Sequence, residues 1–556
     1  MFTPQAKRKI PHVMATQHPD NAGVPFWHND AFVSEQFEND EIYQNFFHLG
    51  ADEYMWDWEG KIADEAIIEK LMGKHLEDFT KKQLGKDLFV TLRIPNIWEE
   101  KTFKLARTYM SVLSAAELTQ SLKLNSPPVF EFILPMTKNA DQLIQIQDTF
   151  QKTAKVHEEI FHTSKFGEGY IHIIPLFESI DDLAGCASVI TDFINAHKKK
   201  FKKNPVYMRP FIARSDPALN AGFVPSVLAS RMALREIYRM EKKFGVPMYP
   251  IIGTGSLPFR GGINPENIEK TLDQYQGIKT VTVQSAYRYD YPLAEVKKSF
   301  EYIKKTLAKD NPVVFSDSEF AKLKEINEIF RKEYCAVIEK AASLVNEMAA
   351  NVPKRRSRMQ HIGLFGYNRG VGKTKLPRAI SFTAAWYSMG IPPEFIGTGR
   401  ALKIIKAKGL MPLLEKHFFS LRWELKHAGK YLNIENLENL ASKNPWAQQV
   451  LEDILLCAEI LEIEIGPQKD HHFIHRNLTS TIMLKKHMGM EFGKELVEAG
   501  IMRKSLGGHI LILKKVFIPL GMKTFFCCGA NHETYSPLLR SHVNVSGRKK
   551  ETSLHR

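Results

Sequence analysis

The chain has 556 residues, 44% hydrophobic and 25% charged, with a formal net charge of +14. That length exceeds one simple core, and that composition excludes general disorder. Five cysteines, two of them adjacent (Cys527 and Cys528), form neither a disulfide framework nor a zinc spacing.

The N-terminal stretch MFTPQAKRKIPHVMATQHPDN lacks the apolar core of a secretory signal, so a reducing cytoplasm is the expected compartment. No membrane partner is expected, because the most apolar segment (509–522) is cut by Lys514 and Lys515. The positive charge invites a nucleic-acid partner, but its distribution argues against one. Residues 509–556 hold eight Lys/Arg against two Asp/Glu, almost half of the net charge, and the runs KKKFKK (198–203) and KRR (354–356) are short and far apart. An enzyme for an anionic substrate also runs positive.

Taken in chain order, short runs rich in Val, Ile, Tyr and Phe end in polar residues and alternate with helical stretches. The runs are 51–60, 87–96, 128–137, 170–179, 205–216, 247–256, 280–290 and 361–370. Near-continuous apolar runs predict strands buried on both faces, as in a parallel sheet. Between them, segments such as 139–161 and 225–245 carry helical spacing with charged outer faces. Eight strand–helix units predict an α/β fold, a TIM-type β/α barrel with insertions; periodicity alone leaves an open doubly wound sheet as the alternative. Beyond about residue 375 the pattern turns mostly helical, as in 444–466, where Asn444 and Pro445 make an N-cap and first helical position. The expected organisation is a barrel catalytic region over 1–400, a helical C-terminal region packed on it over 401–507, and a poorly ordered tail over 508–556.

The string GYNRGVGKTK (366–375) ends like a phosphate-binding loop. A P-loop needs a Gly five positions before Gly372, and position 367 is Tyr. The nucleotide reading is therefore disfavoured.

In a β/α barrel the active site lies at the C-terminal ends of the strands. The polar residues that end the runs include Asp57, Glu59, Glu178 and Asp216, with Arg93, Arg214, Arg260, Gln284 and Arg288. Guanidiniums grip phosphate and carboxylate in a fork, and carboxylates hold Mg²⁺ or Mn²⁺ through oxygen. Together they suit a phosphorylated or carboxylated substrate clamped to a divalent cation.

The strings TQHPDN (16–21), MWDWEGK (55–61), RIPN (93–96), IPLFESIDDLAG (174–185), IARSDPALNAG (212–222), LPFRGG (257–262), TVTVQSAYRYD (280–290) and LPRAISFTAAWYSMGIPPEFIGTG (376–399) occur in this order. Together they resemble phosphoenolpyruvate carboxylase of the short, archaeal type. The resemblance implies carboxylation of phosphoenolpyruvate by bicarbonate through carboxyphosphate and an enolate, giving oxaloacetate and phosphate, with Mg²⁺ or Mn²⁺ as cofactor. It also implies a homotetramer. By resemblance His18, Arg260 and Arg378 are catalytic, and Glu178 and Asp216 hold the metal. Arg93 faces the phosphate, and Arg355 or Arg356 matches a further substrate arginine. Where the bacterial type has two Gly-Arg-Gly-Gly elements this chain has one, and where that type has a Lys this chain has Leu219. Arg288 is the expected substitute for that cation. Lys373, in a Gly-rich loop between the KRR string and Arg378, is the expected further phosphate contact. Trp56, Trp58 and Phe259 are the apolar groups expected to keep the site dry. Two rival readings are another metal-dependent barrel enzyme acting on phosphoenolpyruvate or pyruvate enolates, and a basic nucleic-acid-binding protein.

Overall fold

The computed structural model describes residues 8–503, apart from 18, 59–64, 100–103, 163–170, 309–311, 313, 357–369 and 372–373. Eight parallel strands close into a barrel in chain order. They are β1 (Val13–Thr16), β2 (Glu53–Asp57), β3 (Phe89–Arg93), β4 (Glu131–Leu134), β5 (His172–Phe177), β6 (Phe211–Ala213), β7 (Ile251–Gly253) and β8 (Thr280–Val283). β1 pairs with both β2 and β8, which closes the ring. The expected barrel is therefore present. Seven strands lie within the expected apolar runs. The remaining one is β1, whose four residues are too few to show a period, and not the run 361–370. Residues 361–369 lie outside the described residues, and the barrel closes without them.

Side chains alternate along each strand, as the pleat requires. Met14, Met55, Ile133, Ile174, Leu176, Phe211, Ala213 and Ile251 point inward and form a core of their own. Their neighbours Ala15, Tyr54, Trp56, Phe132, Ile173 and Ile212 point outward into the larger core beneath the helices. The crossover helices start where polar side chains can accept the free N–H groups. Ser179 caps Ile180–Phe201 through Asp182 N–H (3.0 Å), and Asn139 caps Ala140–Phe161 through Gln142 N–H (3.1 Å).

The N-terminal end of the barrel is sealed by charge. Arg209 is fully buried between Glu53 (2.7 Å) and Glu131 (2.5 Å), and Arg8 and the Tyr207 hydroxyl reach the other oxygen of Glu131, each at 2.6 Å. Burial opposes ionisation of Glu131, but Arg209 and Arg8 overcome it and hold its carboxyl at about 2.

Beyond β8 the described chain is mostly helical. A capping box of Ser316 and Glu319 opens the helix Asp317–Ala350, which packs on the barrel helix Phe223–Phe244 and on Ala379–Ser388 and Thr398–Ala407. The described residues all belong to one compact unit. The tail expected to be poorly ordered, 508–556, lies outside the described residues. Among the described residues no helix is long and apolar enough to cross a membrane.

Candidate active site

Strand geometry brings most of the expected polar residues to one end; Glu59 lies outside the described residues. Asp57 and Arg93 are direct partners in the β2–β3 register, so the last residue of each strand meets the other in a two-pronged ion pair: Nε to Oδ1 at 2.9 Å and Nη2 to Oδ2 at 2.7 Å. Glu178 follows β5 and accepts the Met136 N–H at 2.7 Å. Asp216 sits in the first turn of the short helix Ser215–Ala221 after β6. Thus the two carboxylates expected at the metal come from adjacent strands.

Arg260 ends a 3-10 turn, Pro258–Arg260, beyond β7. The turn doubles back through Gly261 (φ +118°), where a Cβ would stand 2.7 Å from the Thr254 side chain. The Arg260 guanidinium reaches Asp20 (3.1 Å) and Gln284 (2.5 Å), and Asp20 is itself anchored by Ser285 Oγ and Ala286 N–H. Arg378 is the N-cap residue of the helix Ala379–Ser388. The segment carrying Arg355 and Arg356 is tied to the N-terminal region, with Val33 N–H donating to the Arg355 carbonyl at 3.0 Å.

Glu178, Asp216, Arg93, Arg260, Arg355, Arg356 and Arg378 line a single cavity of about 280 Å³ at the C-terminal end of the barrel. Arg214, Lys354, Thr16 and Gln284 also line it, and Met55, Leu176, Phe211 and Ala213 supply the barrel's part of its apolar surface. The volume suits a small, highly charged molecule. Cations outnumber carboxylates on the wall, so the cavity favours an anion. Burial lowers the pKa of Arg355, against the pull of Asp290 and Asp30.

Two expectations need correction. Arg288 does not join the cavity wall. β8 ends at Val283, and the chain turns into the helix Ser285–Tyr289, which directs Arg288 inward to Glu41, Asn45 and the Thr16 carbonyl. Glu41 also takes Arg356 at 2.7 Å. Burial would raise its carboxyl, but Arg356 and Arg288 hold it at about 2. Trp56, Trp58 and Phe259 are buried but belong to the outer core, and the inward-facing Met55, Leu176, Phe211 and Ala213 line the cavity instead. His18 and Lys373 lie outside the described residues. Thr16 and Pro19, which bracket His18, line the cavity. Around Lys373, Gly370–Val371 pairs antiparallel with Thr374–Lys375, a ribbon rather than the helix that follows a P-loop.

Sequence reasoning left out several contributors, Lys354 and Glu41 among them. Lys354 was visible in the KRR string, whereas Glu41 left no local signal, since its role appears only when four distant segments meet.

The phosphoenolpyruvate carboxylase family model matches residues 10–507. The chain belongs to the phosphoenolpyruvate carboxylase family. It is 39% identical over 480 residues to a phosphoenolpyruvate carboxylase from Oenococcus oeni, covering 86% of this chain and 94% of that one. The enzyme of the same name from Leuconostoc mesenteroides is 39% identical over 478 residues, covering 86% and 94%. That from Metallosphaera sedula is 36% identical over 521 residues, covering 90% and 100%. The match supports the archaeal-type resemblance over the rival reading of another metal-dependent barrel enzyme. As a carboxylase of this family the chain is a carboxy-lyase, converting phosphoenolpyruvate and bicarbonate to oxaloacetate and phosphate.

Proposed function

We propose that the cavity at the C-terminal end of the barrel is where this carboxylation occurs, and that Glu178 and Asp216 hold a divalent cation, Mg²⁺ or Mn²⁺, beside the substrate. The observation that carries this is the convergence of those two carboxylates with Arg93, Arg260, Arg355 and Arg378 around one small cavity. The donor set fits such a cation. Two carboxylates on the cavity wall are oxygen ligands of the kind a hard divalent cation takes, with substrate and water to complete its shell; among the described residues no group of three or more His, Cys, Asp or Glu converges. When bound, the cation supplies Lewis-acid stabilisation of negative charge developing on substrate oxygens.

Bicarbonate is a weak nucleophile, and its attack on a phosphoryl group brings two anions together. Arg93, Arg260 and Arg378 offset that repulsion. Their partners Asp57 and Asp20 hold Arg93 and Arg260 in place beforehand, so little reorganisation is needed during the reaction. Removal of one such preorganised donor costs about 2.7–4 kcal/mol of transition-state stabilisation. We assign to His18 the transfer of the bicarbonate proton and the release of CO₂ from carboxyphosphate, because imidazole exchanges protons near neutral pH. Met55, Leu176, Phe211 and Ala213 keep water from the enolate until it captures CO₂. The active form is read as a cytoplasmic homotetramer without a nucleic-acid partner, testable by light scattering.

The deciding experiment measures oxaloacetate and pyruvate together, with Mg²⁺ or Mn²⁺ and with or without bicarbonate. Wild-type protein should form oxaloacetate only with bicarbonate. His18→Ala should still cleave phosphoenolpyruvate in a bicarbonate-dependent way but release pyruvate. A normal oxaloacetate yield from His18→Ala would remove His18 from the mechanism.

A further inference from the structure

A carboxyl group stands behind the cavity wall with no part in the scheme above. Glu394 is fully buried in the one-turn 3-10 helix Pro393–Phe395. Its Oε1 accepts two hydrogen bonds from separate elements, the Phe259 N–H at 2.8 Å and the Tyr387 hydroxyl at 3.0 Å. Phe259 immediately precedes Arg260 in the Pro258–Arg260 turn. Tyr387 lies near the end of the helix Ala379–Ser388, whose N-cap is Arg378. One carboxyl oxygen therefore bridges the two elements that carry these cavity arginines.

The surroundings favour a tether over simple space filling. The Phe259 and Phe382 rings already stack, with centroids 5.7 Å apart, so apolar packing between turn and helix exists without the carboxyl. The turn has glycines in left-handed conformations directly after Arg260, at Gly261 (φ +118°) and Gly262 (φ +71°), so its path depends on what holds it. A buried carboxyl is costly, and an apolar side chain of that size would fill the site at lower cost. Burial raises the Glu394 carboxyl to about 7. A second buried carboxyl, Glu424, faces the same turn near Gly262, and burial raises it also to about 7.

We propose that Glu394 is a positioning residue for the carboxylation: it locks the Arg260 turn to the Arg378 helix and so fixes the spacing of the two guanidiniums across the substrate. This rests on the reading of Arg260 and Arg378 as groups that face substrate. Tight spacing matters because a misplacement of about 1 Å can cost roughly 10²-fold in rate.

The test compares Glu394→Gln, whose amide oxygen can accept the same two hydrogen bonds, with Glu394→Leu, which has similar bulk and accepts neither. For phosphoenolpyruvate kcat/KM, Gln should stay within about 3-fold of wild type and Leu should lose roughly 10- to 100-fold. Combined with Arg260→Ala, the loss caused by Leu should shrink to about 2-fold or less, because the group it positions is gone. Tyr387→Phe removes one donor and keeps the ring. If Leu fails to fold, Tyr387→Phe should lose about 2- to 5-fold, again only when Arg260 is present. Equal losses from Gln and Leu, wild-type activity of Leu, or a full additional loss in the Arg260→Ala background would each overturn the proposal. A harmless Arg260→Ala would instead overturn the reading of the site, and this inference with it.

Discussion

The two ends of the barrel are both rich in arginine and carboxylate, and they are built to opposite rules. At the N-terminal end Arg209 sits between Glu53 and Glu131 with no solvent exposure, and Arg8 and Tyr207 occupy the remaining oxygen of Glu131. Every bond there is to another part of the chain. At the C-terminal end Arg93, Arg260, Arg355, Arg356 and Arg378 surround a cavity, with Asp57, Asp20 and Glu41 holding three of them from behind. Charge closed on itself fixes a fold, while charge gathered around a space is held ready for a ligand.

Substitutions at the two ends should therefore separate activity from stability. The largest effect belongs to Asp216→Asn and Glu178→Gln. Each should lower metal-dependent turnover by at least about 10²-fold while thermal melting changes little, because both carboxylates face the cavity. Retained turnover and retained divalent-metal affinity in either variant would remove it from the metal site. Next comes Arg209→Met at the opposite end. It leaves the buried Glu53 without a cationic partner and Glu131 with Arg8 and Tyr207 alone, and should cost about 3–5 kcal/mol in urea unfolding, with kcat per folded molecule unchanged.

The pH dependence of stability sharpens the contrast. Glu131 is depressed from 4.5 to about 2 in the folded chain, so its contribution is complete above about pH 4.5 and is lost as pH falls towards 2. Glu131→Gln should be less stable than wild type near neutral pH, and the gap measured by urea unfolding should close across that acid window. A gap independent of pH would mean that the carboxylate charge is not what seals this end. The smallest effect is expected from truncation after Gly507. The family match ends there, so kcat and KM for phosphoenolpyruvate should stay within about 2-fold of the full chain. Loss of soluble, active protein would give the tail a structural role.

Much of the fold was legible because barrel strands carry their own signal. Seven apolar runs ended in polar residues, and the runs became strands that, β4 apart, bring residues to the cavity wall. β1 escaped because VMAT is four residues long and its neighbours show no period. Arg288 was misread because sequence does not reveal where a strand stops. Once β8 yields to a helix at Ser285, a residue five places beyond the strand turns away from the mouth. Trp56 and Trp58 were misread by parity, for an apolar residue in a strand looks the same whether it faces the barrel interior or the helices.

Sequence by itself determined the family, the alternating β/α plan and the chemical types of the cavity residues, because those rest on local pattern and on long ordered motifs. Tertiary structure alone decided which charges are spent and which remain for a ligand. Arg288 and Arg356 share Glu41 across 247 and 315 positions of chain, yet only Arg356 also lines the cavity, and Glu394 reaches Phe259 across 135. Such pairings depend on which distant segments are packed together, and no local property of the sequence encodes that.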